Sequence, residues 1–200
     1  ELAVASAAGF PMDKIYFHGN GKSESDIRTA MEMGIGCFVP DNLRERDLVS
    51  ACALETGKKQ TVLIRLTPGI DPHTYEAVNT GKVDSQFGTP IETGQAEELI
   101  AHALTLHGIE LEGFHCHVGS QLFEVGPLTD TADLMLDFIS HIRTTLGYTA
   151  KTLDLGGGFG VRYVESDPEM DIDGCIALLA EHIIARCKQY GIPQPRIILE

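Results

Sequence analysis

The sequence predicts an α/β domain built on a parallel sheet. Short apolar runs rich in β-branched and aromatic residues alternate with longer segments of helical period, and glycines stand where the predicted helices end. Parallel strands need crossover connections, so this alternation is typical of repeated βα units. The chain has 200 residues, 43% of them hydrophobic and 22% charged, which suits one domain with a buried core.

Each predicted element follows from this alternation. The predicted strands span residues 14–17, 37–39, 61–66, 111–118, 152–155 and 196–200. The predicted helices span residues 23–33, 43–56, 95–107, 128–146 and 172–190, with glycine at 34, 57, 108, 147 and 191 as their C-terminal caps. Residues 1–8 match the last turns of a further helix. Both ends of the chain thus fall inside βα units, and we expect a piece of a larger domain.

Composition excludes several classes of function. Acidic residues outnumber basic ones 29 to 15, and the formal charge of −14 disfavours nucleic acids and anionic membranes as partners. No apolar run reaches the roughly 20 residues of a membrane span, and the first residues lack the features of a signal peptide. The five cysteines form no CxxC pair, which favours free thiols and a cytoplasmic protein.

Two predicted loops carry residue types suited to a ligand site. Residues 67–93 form an unusually long loop, and such loops are often functional. Residues 154–160 read DLGGGFG, and their glycines (Gly156, Gly157, Gly158 and Gly160) let backbone N–H groups converge on an anion such as phosphate. The alternative is a tight strand-to-helix turn. Both loops follow predicted strands, at the edge where parallel α/β folds place their sites.

The segment HCHVGSQ, residues 115–121, ends another predicted strand. Alternation along a strand places His115 and His117 on one face and Cys116 on the other. The histidines fit three interpretations, namely buried core residues, a ring against a cofactor, or metal ligands that lack obvious further partners nearby. In the second interpretation Ser120 offers its hydroxyl and N–H to a phosphate.

Two charged residues end apolar strands. Glu200 follows Ile197, Ile198 and Leu199, and it could pair with a protonated ring nitrogen or be a solvated residue at a chain end. Arg65 ends a similar strand, where an arginine is rarely left unpaired. Lys22 fits a surface position and a site position equally well.

These segments together carry a family resemblance. FHGNGKS (17–23), RLTPG (65–69), Phe87-Gly88, GFHCHVGSQ (113–121) and DLGGGFG (154–160) occur in the order seen in diaminopimelate decarboxylases. These enzymes are a branch of the alanine-racemase-like, fold type III pyridoxal-phosphate enzymes. The resemblance spans essentially all 200 residues, and HCHVGSQ with LDLGGGFG is a specific pair of motifs.

The resemblance implies a cofactor, pyridoxal 5'-phosphate, and a role for each motif residue. His117 would be the catalytic residue that stacks on the pyridoxal ring, Ser120 would contact the phosphate, and Gly156, Gly157, Gly158 and Gly160 would form the phosphate nest. Glu200 would pair with the pyridine nitrogen, and Arg65 would lie on the barrel floor near the cofactor. No metal is implied.

The implied fold is a (β/α)8 TIM-type barrel, of which about six βα units are present. Residues 1–200 would be a pyridoxal-phosphate-binding barrel domain truncated at both ends, without the family's Schiff-base lysine upstream or its C-terminal β domain. The implied activity is decarboxylation of meso-diaminopimelate to L-lysine by a homodimeric parent protein, with this chain alone inactive. The alternatives are a decarboxylase of another basic amino acid, a non-catalytic module that binds a phosphorylated ligand and, ranked last, a zinc hydrolase using His115 and His117.

Overall fold

A computed structural model describes residues 1–69 and 87–200, and in these residues a single parallel sheet is covered by helices, which confirms the predicted α/β class. The sheet has seven strands in the order β1-β2-β3-β5-β6-β7, with β4 paired beside β3, and every pairing is parallel. The strands are β1 (Tyr16–Phe17), β2 (Cys37–Phe38), β3 (Gln60–Thr67), β4 (Thr89–Pro90), β5 (Ile109–His115), β6 (Thr152–Asp154) and β7 (Arg196–Ile198).

Helices connect successive strands as the βα pattern requires. They are α1 (Leu2–Ala7), α2 (Glu24–Glu32), α3 (Leu43–Glu55), α4 (Gln95–Ala103), α5 (Gly126–Leu146) and α6 (Ile172–Tyr190), and a 3-10 turn, Met12–Lys14, precedes β1. Ser23 begins α2 with a capping box completed by Asp26. Gly147 and Gly191 end α5 and α6 in the left-handed conformation, as their predicted role requires.

The largest differences from the prediction concern α4, β4, β5 and β7. Helix α4 ends at Ala103 rather than at residue 107, so Gly108 caps nothing. A Cβ on Gly108 would lie 2.1 Å from the Ser50 carbonyl oxygen, and close packing against α3 therefore explains this glycine. Strand β4 lies in the predicted 67–93 loop, most of which falls outside the described residues. Strands β5 and β7 end earlier than predicted, so residues 116–118 and 199–200 lie beyond the strand ends at the same edge of the sheet.

The two faces of the sheet differ in what covers them. On the helix face, strand residues such as Phe38, Ile64 and Phe114 join one large apolar core with residues of the helices, and each is at most 1% exposed. On the opposite face, which we call the inner face, the buried apolar cluster is small and consists of Cys37, Val39 and Leu63, with Tyr16 against it. The inner face is the concave side of the partial barrel.

Two further sequence predictions concern cysteines and membranes. All five cysteines are free and buried, in agreement with the prediction. Within residues 1–69 and 87–200, no helix has both the length and the apolar character needed to cross a membrane.

Candidate functional site

Strand register brings the predicted charged residues to one edge of the sheet. Arg65 on β3 pairs with His115 on β5, and His115 pairs with Asp154 on β6. Side chains alternate along strands, so these three point together from the inner face at its C-terminal edge. Glu200 joins them two residues beyond the end of β7, and its N–H donates a 2.9 Å hydrogen bond to the Gly156 carbonyl.

Two imidazoles lie against the Glu200 carboxylate. Its Oε1 is 3.3 Å from Nε2 of His18 and 3.4 Å from Nε2 of His115. The two rings meet edge to face, with centroids 4.8 Å apart. His115 is buried, whereas 30% of the His18 side chain and 40% of the Glu200 side chain are exposed. Sequence reasoning assigned no role to His18, although it lies within the FHGNGKS motif.

The pKa shifts at this cluster follow from burial and from these contacts. Interaction with His115, and then with His18, lowers the pKa of Glu200 to about 2 although partial burial opposes the shift. Burial lowers the pKa of His115 to about 4 and also lowers the pKa of His18. At neutral pH an ionised carboxylate therefore faces two neutral imidazoles.

Asp154 is a second carboxyl group at this edge. It is 1% exposed, and its Oδ1 accepts a 2.9 Å hydrogen bond from the Gly156 N–H. Its Oδ2 makes no hydrogen bond within the part of the chain that the structure describes. Burial raises the pKa of Asp154 to about 7, and the negative charge of Glu200 acts in the same direction. Asp154 therefore holds a proton near neutrality that an ordinary aspartate would have lost.

The two loops predicted to build the site lie side by side. The Leu122 N–H donates to the Gly158 carbonyl (2.9 Å), and the Gly160 N–H donates back to the Leu122 carbonyl (2.8 Å). The Gln121 side chain continues this ladder, because its amide nitrogen donates to the Val161 carbonyl (3.0 Å) and its Oε1 accepts from the Val161 N–H (2.8 Å). Residues 117–122 and 156–161 thus form one rim.

The four glycines offer fewer N–H groups for a ligand than the sequence suggests, because most of these groups already donate within the chain. The N–H groups of Gly156 and Gly160 donate to Asp154 and Leu122, and that of Gly157 donates to Nδ1 of His117 at 3.3 Å. The N–H of Gly158, which is only half-buried, has no acceptor among the described residues.

Close packing gives an independent reason for glycine here. A Cβ on Gly157 would lie 2.2 Å from the Glu200 carbonyl oxygen, and one on Gly158 would lie 1.9 Å from the Gly119 carbonyl oxygen. Gly158 also has a φ of 91°, in the left-handed region. The glycine run therefore allows the two loops to pack closely, in addition to any role in ligand binding.

His117 and Ser120 stand on this rim, half-buried, beside the glycine loop. Burial lowers the pKa of His117, so its imidazole is neutral at physiological pH. Cys116 is buried on the helix face, which confirms the predicted alternation. Within residues 1–69 and 87–200, the group of three side chains able to share a metal ion is His18, His115 and Glu200, and it does not include His117.

Arg65 and Lys22 are both paired within the fold. Nε of Arg65 lies 3.4 Å from Oδ1 of the buried Asp41, and its guanidinium packs on the Phe87 ring. Lys22 is buried, and its Nζ donates to Glu45 (3.1 Å) and to backbone carbonyls that include that of Val39 (2.9 Å). Lys22 therefore anchors the loop after β1, a role that depends on the distant Glu45 and that the sequence pattern left open.

Comparisons with known proteins agree with this geometry. Residues 1–200 match the family model described as "Pyridoxal-dependent decarboxylase, pyridoxal binding domain". The chain is 39% identical over 200 residues to the diaminopimelate decarboxylase of Bacillus subtilis and 38% identical to that of Staphylococcus aureus, in each case over the whole chain. The resemblance inferred from the motifs is confirmed.

Solved structures give the same result. The diaminopimelate decarboxylase of M. jannaschii in complex with L-lysine superposes with a TM-score of 0.84 at 31% identity, over all of this chain and 45% of that one. The Helicobacter pylori enzyme with L-lysine gives a TM-score of 0.86 at 26% identity, over 48% of its chain. These likenesses confirm the TIM-barrel type of fold.

The matches cover this chain completely but its relatives only in part. The chain spans about half, 46%, of the length of the B. subtilis and S. aureus enzymes. The family model, by contrast, accounts for every residue from 1 to 200. The chain belongs to the family of pyridoxal-binding domains of the pyridoxal-dependent decarboxylases.

Proposed function

We propose that this chain is the cofactor-binding part of a diaminopimelate decarboxylase, which removes carbon dioxide from the D-centre of meso-diaminopimelate and releases L-lysine. The observation that carries the proposal is the shared rim, where a histidine loop and a glycine loop are hydrogen-bonded together beside Glu200. The similar enzymes from B. subtilis and S. aureus bear this name, and two similar structures contain L-lysine.

The residues of the rim fit pyridoxal 5'-phosphate. The cofactor has a flat ring, a basic ring nitrogen and a phosphate, and the rim offers a matching group for each. The neutral His117 imidazole suits the ring face, the ionised and partly exposed Glu200 suits the ring nitrogen, and the Gly158 N–H suits a phosphate oxygen. The buried Asp154 Oδ2, which has no hydrogen-bond partner among residues 1–69 and 87–200, lies at the same edge of the sheet.

Each rim residue then has a role in binding. His117 would stack on the ring, and Ser120 with the Gly158 N–H would bind the phosphate. The other three glycines, Gly156, Gly157 and Gly160, shape the nest, because their N–H groups already donate within the chain. Arg65 is held by Asp41 and supports the floor of the pocket rather than binding the cofactor directly.

Glu200 contributes most to the chemistry. When bound, pyridoxal phosphate supplies an electron sink for the pair of electrons left as carbon dioxide departs. The Glu200 carboxylate, ionised at neutral pH, keeps a proton on the ring nitrogen through a charge-assisted contact, and this proton strengthens the sink. His117 covers one face of the ring, so water is excluded there and the ring keeps its orientation.

Other properties of the whole protein come from the family resemblance. We propose that it acts in the cytoplasm as a homodimer on a small amino-acid substrate, and that its lysine for cofactor attachment lies outside residues 1–200. The 200-residue chain alone should therefore release no carbon dioxide. Lys22 is a poor substitute for that lysine because its Nζ is buried in contacts with Glu45 and backbone carbonyls.

Cofactor binding by the full-length protein is the first test. We expect His117→Ala to weaken pyridoxal phosphate binding about 5-fold in an absorbance titration, since an aromatic stacking contact is worth about 1 kcal/mol. His107→Ala, at an exposed position, is the matched control. Equal affinities for the two variants would contradict the role of His117.

Substrate choice needs a second assay. Carbon dioxide release should be at least about 100-fold more efficient with meso-diaminopimelate than with ornithine, arginine or lysine, because a site built for a polar group rejects analogues that lack it. A preference for one of the other amino acids would indicate a different decarboxylase. Tight binding of pyridoxal phosphate with no carbon dioxide release from any of them would indicate a non-catalytic module.

A further inference from the structure

The strongest unassigned feature is the convergence of two histidines on one carboxylate oxygen. We propose that His18 and His115 are positioning residues that hold the Glu200 carboxylate ionised and in a fixed orientation for the cofactor's ring nitrogen. The second half of this statement rests on the proposed function. The first half concerns the cofactor-free chain and can be tested without it.

The convergence joins opposite ends of the sheet. His18 follows β1, the first strand of the sheet, whereas Glu200 follows β7, the last. His115 ends β5, between them, and its ring touches that of His18. Both imidazoles approach the same oxygen, Oε1, at 3.3 and 3.4 Å. Two contacts from different directions to one oxygen restrict rotation of the carboxylate more than either contact alone.

Burial makes His115 the stiffer of the two partners. Its side chain is 1% exposed, and neither ring nitrogen forms a well-aligned hydrogen bond within the described part of the chain. Burying an imidazole without such a bond costs free energy, and the interaction with the nearby charge of Glu200 offsets this cost. The imidazole and the carboxylate therefore depend on each other.

The surrounding charges favour an ionised Glu200. Among residues 1–69 and 87–200, the charged and imidazole groups around it are His18 after β1, Arg65 on β3, His115 and His117 on β5 and its rim, and Asp154 on β6. Asp154 is the only acid among them, and burial raises its pKa to about 7, which removes much of its repulsion at neutral pH. His115, whose own pKa is about 4, is protonated in the range where Glu200 titrates, so it stabilises the Glu200 carboxylate as a cation there and as a neutral neighbour at neutral pH.

A metal centre is the competing explanation. His18, His115 and Glu200 offer ligand atoms that lie within 4.8 Å of one another, which would suit Zn²⁺. Positioning explains the same distances without an ion. It also explains why the buried His115 contacts a partly exposed carboxylate. The two explanations differ because a metal needs a nitrogen lone pair from each imidazole, whereas positioning needs an N–H.

The test measures the ionisation of Glu200 in the metal-free, cofactor-free chain. The side-chain carboxyl carbon is followed by 13C NMR against pH and assigned from its absence in Glu200→Gln. We expect wild-type Glu200 to remain ionised at pH 4.5, and we expect His18→Leu and His115→Leu each to raise its proton affinity at least about 10-fold. His107→Leu, at an exposed position, should change nothing.

Glutamine variants separate donation from packing. His18→Gln and His115→Gln keep an N–H near the imidazole Nε2 but carry no positive charge, so they should restore the wild-type titration in part. If His115→Leu does not fold, the partly exposed His18 carries the test alone. Unchanged titration in the leucine variants, or glutamine variants that titrate just as the leucine variants do, would overturn the proposal.

Zinc supplies the remaining outcome. After dialysis against a chelator and return of one equivalent of Zn²⁺, we expect no tight binding and an unchanged Glu200 signal. Stoichiometric zinc that is lost in His18→Leu would overturn positioning in favour of a metal centre. Failure of pyridoxal phosphate to bind the full-length protein would refute the proposed function but leave the Glu200 titration as it is.

Discussion

The helix face and the inner face of the sheet are made by alternate residues of the same strands, yet they have opposite chemistry. Phe114 faces the helices with 0% exposure, and its neighbour His115, also buried, faces the inner side among charged groups. The helix face is stabilised by burial of apolar area. The inner face contains ionisable groups that burial destabilises, such as Asp154 and His115. Stability and function are therefore divided between the two faces.

Removing an aromatic ring from the helix face should have the largest effect on stability. Phe114 packs against Phe138 and Tyr148 with ring centroids 6.0 Å away. We expect Phe114→Ala to lower the free energy of unfolding by about 3–5 kcal/mol through lost contacts and a cavity. Urea denaturation measures this, with Phe10→Ala, at an exposed phenylalanine, as control. Similar losses for the two variants would contradict the division between the faces.

Replacing a buried carboxyl on the inner face by an amide should have the opposite effect and raise the free energy of unfolding. Because burial raises the pKa of Asp154 to about 7, the folded chain holds a proton that the unfolded chain loses near pH 4. The contribution of Asp154 to stability therefore falls between about pH 4 and pH 7, by at most about 4 kcal/mol. Asp154→Asn, whose Oδ1 can still accept from Gly156, should be more stable than wild type at pH 8 and similar near pH 4. Denaturation at both pH values checks this, and a pH-independent difference would exclude it.

Breaking the buried ion pair of Lys22 and Glu45 should lower the free energy of unfolding, as a substitution on the helix face does, although the pair lies near the site. The two side chains are 3% and 4% exposed, and Lys22→Met leaves Glu45 buried without its cation. We expect a loss of about 3 kcal/mol in the free energy of unfolding. Lys151→Met breaks an exposed pair with Glu110 and should leave the denaturation midpoint unchanged. A midpoint for Lys22→Met equal to that control would show that the pair is dispensable.

Separating the two rim loops should give the smallest loss. Gly158→Ala combines a left-handed φ with a Cβ directed at the Gly119 carbonyl, whereas Gly34→Ala has a left-handed φ and open space. We expect Gly34→Ala to lose about 1 kcal/mol and Gly158→Ala about 2 kcal/mol. Urea denaturation measures the difference. If both variants lose the same amount, the loops are not closely packed.

Much of the fold was predictable because local pattern determines it. The helix-face residues repeat with period two in strands such as 61–66, and glycines at 147 and 191 mark helix ends by a local backbone requirement. Strand β4 escaped prediction because two residues, one of them a proline, carry no periodic signal. Gly108 was misassigned because its reason, contact with Ser50, lies on a distant helix.

The site was predictable in its loops and not in its contacts. His117 and the glycines 156–158 stand out by residue type and by position after a strand. His18, Asp41 and Glu45 do not, since each acquires its role from a partner on another strand or helix: Glu200, Arg65 and Lys22. Charged pairs between distant segments have no sequence period, so only the folded arrangement reveals them.

The ladder between Gln121, Leu122, Gly158, Gly160 and Val161 has a practical consequence for protein engineering. Backbone and side-chain amide groups form hydrogen bonds between these two segments. Transplanting one segment alone into a related scaffold would therefore leave several donors and acceptors without partners. Chimaeras designed to change ligand preference should therefore exchange residues 117–122 and 156–161 as a single cassette.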